Sequence, residues 1–197
     1  MIPETIEEQI KYFTRIVPQE ITVTRWDHSL RVAEIAKELA SFHAPDQTAQ
    51  AFLAGIVHDI TKQKTKEFHL SIFTEANDPE SAGLPEAAWH SRSAYHYLKG
   101  KYGLLNESVL GAVKHHTLGG DDLSVLECIL YAADFLGSEF AERQKDYSDW
   151  REEARKYLYK GVLNKAFHTI SDLLENRREI HPRTIGMYHA ALRKLTN

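Results

Sequence analysis

The strongest constraint on the fold is a period: apolar residues recur three and four apart along nearly the whole chain, and no segment alternates as a half-buried strand would. Ile6, Ile10, Phe13 and Val17 set out a first amphipathic helix that should stop before Pro18. Thr24 followed by Asp27 resembles a capping box, so a second helix is expected from near Arg25 to about Phe42. A third carries Ala49, Phe52, Leu53 and Ile56 on one face, begins after Pro45 and Asp46 and ends near His58. A polar stretch over 62–85 is long enough to hold a short helix or a lid-like loop. The pattern then predicts helices from Glu86 to Lys99, closing at Gly100, and from an Asn106 cap to His116. Ser124 with Glu127 forms a capping box for "VLECILYAADFL", which is apolar on nearly every side and so belongs at the centre of a bundle. Two or three more helices are expected between Trp150 and Leu195, broken at "HPRT" by Pro182. The predicted class is all-α.

With 197 residues a single domain is expected. A net charge of −4 speaks against a general nucleic-acid binder. No stretch approaches the roughly 18 to 20 apolar residues of a bilayer-spanning helix, and the start "MIPETIEEQIKYF" lacks the basic and apolar regions of a secretory signal. The expected location is the cytoplasm, away from membranes. Cys128 is the one cysteine, so a metal site must be built from histidine and carboxylate.

Eleven histidines are present, and some fall on apolar helix faces, where an ionisable group is costly unless paired or metal-bound. His28 shares a stripe with Val32, Ile35 and Leu39. "LAGIVHDITK" ends an apolar run in His58 and Asp59, and His116 follows Val109, Ala112 and Val113 on an inner face. Its neighbour His115 is turned about 100° away. His90 opens the fourth predicted helix on the side of Ala94 and Tyr97, and Asp134 sits on the central helix. Such nitrogen and oxygen donors suit Mn, Fe, Zn or similar divalent ions. Six ligands on one ion would leave no position for a substrate, whereas two ions sharing a carboxylate stay open. That favours a binuclear centre bridged by Asp59.

The ordered series of His28, the His58–Asp59 pair, His90, His116 and Asp134 resembles the HD-domain superfamily of metal-dependent phosphohydrolases, whose fold is all-α. Within it the chain is most similar to the YqeK-like bacterial symmetrical diadenosine tetraphosphate (Ap4A) hydrolases, well over about 20–140 and more loosely to "IHPRTIGMYHAAL". The resemblance implies an HD-type bundle of about eight or more helices, with 141–197 packing on the core. It implies cleavage of Ap4A into two ADP at a pair of iron ions, with Mn, Co or Zn as other possibilities, through a metal-bridged hydroxide. Asp59 and Lys62 are then the expected catalytic residues, and Arg25, Lys62, Thr117, His181 and Thr184 the expected substrate contacts; Arg31 also flanks the metal stripe. The expected partner is a nucleotide, Ap4A or an ADP- or GDP-like product, and a homodimer is compatible with the pattern. Phe140 stands where the family pattern leads one to expect a basic residue, "WHSRSA" lacks a glycine common after the third histidine, and 62–85 is longer than expected. Alternatives are another HD activity (nucleotidase, deoxynucleotide triphosphohydrolase or alarmone hydrolase), a nucleotide-binding regulator without turnover, or a helical interaction protein.

Overall fold

The computed structural model describes residues 2–196, and among them there are helices and connecting turns but no strand. In chain order the helices are α1 (Ile6–Glu20), α2 (Val23–His43), α3 (Thr48–Val57), α4 (Lys66–Glu75), α5 (Pro79–Ala82), α6 (Trp89–Tyr102), α7 (Glu107–His115), α8 (Val125–Leu136), α9 (Glu139–Glu142), α10 (Tyr147–Lys156), α11 (Leu158–Glu175) and α12 (Pro182–Thr196). The all-α class is as the period requires. None of these helices is long and apolar enough to cross a membrane.

Helix α8 is the axis of the bundle, with Leu126, Ile129, Leu130, Tyr131, Ala132, Ala133 and Leu136 all fully buried. It is surrounded by α2, α3, α7, α10 and α11. Ser124 and Glu127 close its N-terminus as the expected reciprocal capping box. The Glu127 carboxylate also meets Nδ1 of His115, so that histidine serves the helix cap while its neighbour turns inward. The C-terminal helices pack on this core, α11 against α8 and α12 against α11.

Several boundaries differ from the sequence reading. Helix α1 passes through Pro18 to Glu20. The Glu20 carboxylate accepts hydrogen bonds from Lys64 (2.8 Å), Lys101 (2.8 Å) and Tyr102 (2.7 Å), tertiary anchors that hold the last turn past the proline. The cap of α2 is Thr22, whose hydroxyl accepts from the Arg25 amide, rather than Thr24. Helix α6 runs through Gly100 and stops at Gly103, whose φ of +71° is the left-handed conformation glycine adopts most readily. The stretch 62–85 holds α4 and α5, packed through buried His69 and Phe73 and so fixed in the bundle.

The Glu20 cluster ties together the end of α1, the turn after α3 and the end of α6. Burial raises the pKa of Glu20, but the hydrogen bonds from Lys101, Lys64 and Tyr102 outweigh it and hold the carboxyl at about 2. A carboxyl depressed in the folded state stabilises it fully above the unfolded value, and this contribution is lost as pH falls from about 4.5 towards 2. Glu20→Gln should therefore cost about 2 kcal/mol at pH 7 and progressively less below pH about 4. Urea titrations at several pH values would read this difference, and a cost that does not shrink on acidification would refute it.

Candidate metal centre

Helix α3 carries its apolar residues Ala51, Leu53, Ala54, Ile56 and Val57 into the core with no exposure. Consecutive tight turns follow, with the Ile60 amide on Val57 O and the Lys62 amide on Asp59 O. His58 and Asp59 are thereby turned into the bundle, 0% and 2% exposed. His28 arrives from α2, His90 from the first turn of α6, His116 from the C-cap of α7 and Asp134 from the last turn of α8.

These six residues meet. Asp59 is shared between two groups, one with His28 and His58 and one with His90 and His116, in each of which the donor atoms lie within 4.8 Å of one another. Asp59 Oδ2 faces His58 Nε2 at 3.5 Å and His28 Nε2 at 3.9 Å; Oδ1 faces His90 Nε2 at 3.3 Å and His116 Nε2 at 3.6 Å. Asp134 Oδ1 joins the first group, 3.2 Å from His28 Nε2 and 3.5 Å from His58 Nε2.

Backbone carbonyls set the rings. Nδ1 of His28 donates to Gly137 O (3.1 Å), Nδ1 of His58 to Gly55 O (2.7 Å) and Nδ1 of His116 to Val113 O (2.8 Å). Each leaves Nε2 to point at the centre, the usual outer-shell arrangement of a metal-binding histidine. His58 Nε2 and Asp59 Oδ1 are buried with no hydrogen-bond partner. Unpaired buried polar atoms are costly, and a divalent cation is the partner both lack. The residues present fit such an ion.

The charges agree. Burial opposes ionisation of Asp59, but the surrounding imidazoles hold it well below the ordinary carboxylate range; Asp134 is held likewise by Lys165 and the His28 and His58 rings. Burial pushes His90 well below its ordinary value and His116 down as well, so both present lone pairs. Burial alone would lower His58 too, yet Asp59 and Asp134 raise it to about 9. The two carboxylates thus favour positive charge at this ring, and a bound cation would supply that charge in place of a proton. Saturating Mn(II) should raise the melting temperature, since an ion at a hundred times its Kd stabilises by about 2.7 kcal/mol, or roughly 5–10 °C for a chain of this size. An unchanged midpoint would count against the site.

Above the centre a pocket of about 470 Å³ is lined by Arg25, His28, Asp59, Lys62, His90, His116, Thr117 and Asp134, together with Phe135, Ser138, Phe140, Lys165, His168, Thr169 and Asp172. Arg25 donates to Asp59 Oδ2 at 3.1 Å, and exposed Lys62 places Nζ 3.2 Å from His90 Nε2. Thr117 Oγ1 lies 3.1 Å from the same nitrogen. Arg31 stands outside, on Gly137 O and Glu142. His181 and Thr184 do not line the pocket: Nδ1 of His181 accepts from the Arg183 amide, and the buried Thr184 hydroxyl donates to Leu118 O.

The sequence reading missed Lys165, which is buried on α11 and donates to Asp134 Oδ2 and His116 O, both at 2.7 Å. Its signal was present: Leu158, Val162, Lys165 and Ala166 form one stripe, and a lysine on such a stripe needs an anion. His168, Thr169 and Asp172, on the same helix, were missed with it.

The family model of the HD domain matches residues 25–137. A symmetrical bis(5'-nucleosyl)-tetraphosphatase of Halalkalibacterium halodurans is 28% identical over 181 residues, covering 90% of this chain and 94% of that protein. An enzyme of the same name from Staphylococcus aureus is 30% identical, covering 80% and 78%. A crystal structure from Clostridium acetobutylicum, described as a "predicted HD superfamily hydrolase involved in NAD metabolism", superposes with a TM-score of 0.80 at 26% identity, over 93% of this chain and 97% of that one.

Proposed function

The chain belongs to the HD domain family, and from that premise we propose that it is a phosphohydrolase that cuts Ap4A symmetrically into two ADP. The observation that carries the reading is the sharing of Asp59 between two histidine pairs at the floor of a cation-lined pocket. The two carboxylate oxygens turned to different pairs support a binuclear centre. The donor set of imidazole and carboxylate supports iron, with Mn, Co or Zn as substitutes. Lys165 and His168 reach the pocket from α11, which supports treating 141–197 as part of the same domain as 20–140. We place the enzyme in the cytoplasm, acting on a free nucleotide, either alone or as a homodimer.

What bound divalent ions supply in such a setting is Lewis acidity towards a phosphoryl oxygen and a more acidic water. The chain does the rest. Lys62 and Arg25 stand at the pocket floor where the phosphate oxygens of the anhydride must lie, and each brings charge to an anionic substrate. The Thr117 hydroxyl offers a further donor at the same edge. Lys165 engages Asp134 Oδ2, leaving only Oδ1 towards His28 and His58. Water adds to one of the two inner phosphorus atoms, the bond from that phosphorus to the central bridging oxygen breaks, and the bridging oxygen leaves on the other half. Both halves are then ADP.

Chromatography of Ap4A incubated with the metal-loaded protein tests this, with ADP as the expected sole product. ATP with AMP would overturn the symmetrical cut, and no turnover with Fe, Mn, Co or Zn would overturn the enzymatic reading.

A further inference from the structure

The pocket has two chemically different ends. Its floor holds the histidines and aspartates with Arg25, Lys62 and Lys165; its other end is formed by Phe135, Ser138, Phe140, His168, Thr169 and Asp172, with no lining Lys or Arg. The carboxylate of Asp172 is engaged by Arg178 at 2.6 Å. A phosphate chain therefore finds the lining cations Arg25, Lys62 and Lys165 beside the histidines and aspartates, while Arg178 next to the aromatic residues is already paired with Asp172.

What the far end offers is aromatic surface. Phe135 stacks on His168 with centroids 5.4 Å apart and planes 16° from parallel, and Trp150 supports the imidazole from another side at 4.9 Å. Phe140 stands against both, 5.6 Å from His168 and 6.2 Å from Phe135. It is nevertheless 52% exposed, an apolar ring held at the pocket edge by its neighbours with much of its surface open. Burial lowers the pKa of His168, which leaves that ring uncharged at neutral pH. The Ser138 amide and hydroxyl are both spent on Phe135 O, whereas among the described residues the Thr169 hydroxyl beside the rings has no hydrogen-bond partner.

The two ends are rigidly linked. Asp134 and Phe135 are consecutive on α8, and Lys165 and His168 are three apart on α11, about 4.5 Å along the axis. A nucleotide with its terminal phosphate at the floor runs its sugar and base past His168. The geometry points to Phe140 and His168 as the platform on which the nucleobase stacks, making Phe140 a specificity-determining residue for nucleoside over inorganic polyphosphates. This rests on the nucleotide reading of the pocket, but not on the symmetrical cut.

The test compares ADP with inorganic tripolyphosphate, which has the charge and no base, by calorimetric titration of the full metal-loaded protein. Stacking a base on an aromatic ring is worth enough that Phe140→Ala should weaken ADP about tenfold or more. Tripolyphosphate should bind the variant as it binds the wild type, and Phe140→Trp should restore ADP affinity. The kcat/KM for Ap4A should fall with ADP affinity. Unchanged ADP affinity, or equal weakening of both ligands, would overturn the platform. If the wild type leaves Ap4A intact yet ADP and tripolyphosphate respond as described, the reaction is misassigned and the platform stands.

Discussion

Asp59→Asn should abolish hydrolysis, lowering kcat by about 10³-fold or more, and should empty the centre of metal. The substitution keeps the volume of a side chain that is 2% exposed and removes only its charge and one acceptor oxygen. Both oxygens matter, because Oδ2 faces His28 and His58 and Oδ1 faces His90 and His116. An asparagine amide presents one oxygen and an NH2 group, whose N–H donors would point at imidazole nitrogens or at the cation itself. Several kcal/mol of transition-state stabilisation by bound metal would be lost, and each 1.36 kcal/mol is about tenfold in rate. Elemental analysis of the purified variant should show both groups depleted. A variant that keeps one ion per chain and a tenth of the activity would refute the shared carboxylate, since it would make Asp59 a ligand of one position alone.

That residue was readable because a carboxylate closing an apolar run has no cheap structural explanation. His28, His116 and Asp134 are legible for the same reason, each a polar residue on an apolar helix stripe, and Lys165 carries the same signal on α11. What the period could not give is anything fixed by distant partners. Helix α1 outlasts Pro18 because Glu20 is gripped by Lys64, Lys101 and Tyr102, residues 44, 81 and 82 positions away. Gly100 reads as a helix stop, yet it lies in α6 with open space around it, and the left-handed turn falls at Gly103. The aromatic end of the pocket joins α8, α9 and α11, and no local pattern announces that Phe140 and His168 share a wall.

Gly55→Ala should lower the melting temperature by roughly 6–12 °C and loosen the metal centre with it. A Cβ at position 55 would sit 2.4 Å from Cα and 2.7 Å from N of Ala33, which are backbone atoms of α2 and cannot rotate aside. The α2 and α3 axes would have to separate. Overpacking commonly costs about 1–3 kcal/mol, and a clash of backbone with backbone belongs at or above the upper end, near 3 kcal/mol; for a chain of this length each kcal/mol is about 2–4 °C. The consequence reaches the site because α2 carries His28, α3 leads into His58, and Gly55 O is the acceptor that orients His58 Nδ1 at 2.7 Å. Metal-induced stabilisation should therefore shrink in the variant as well as the midpoint falling. Gly100→Ala is the matched control: it is helical and exposed, a Cβ there meets nothing within 4 Å, and removing glycine's unfolded-state entropy should stabilise by about 0.5–1 kcal/mol. If both variants melt within about 2 °C of the wild type, close approach of α2 and α3 at Gly55 is not what holds His28 and His58 together.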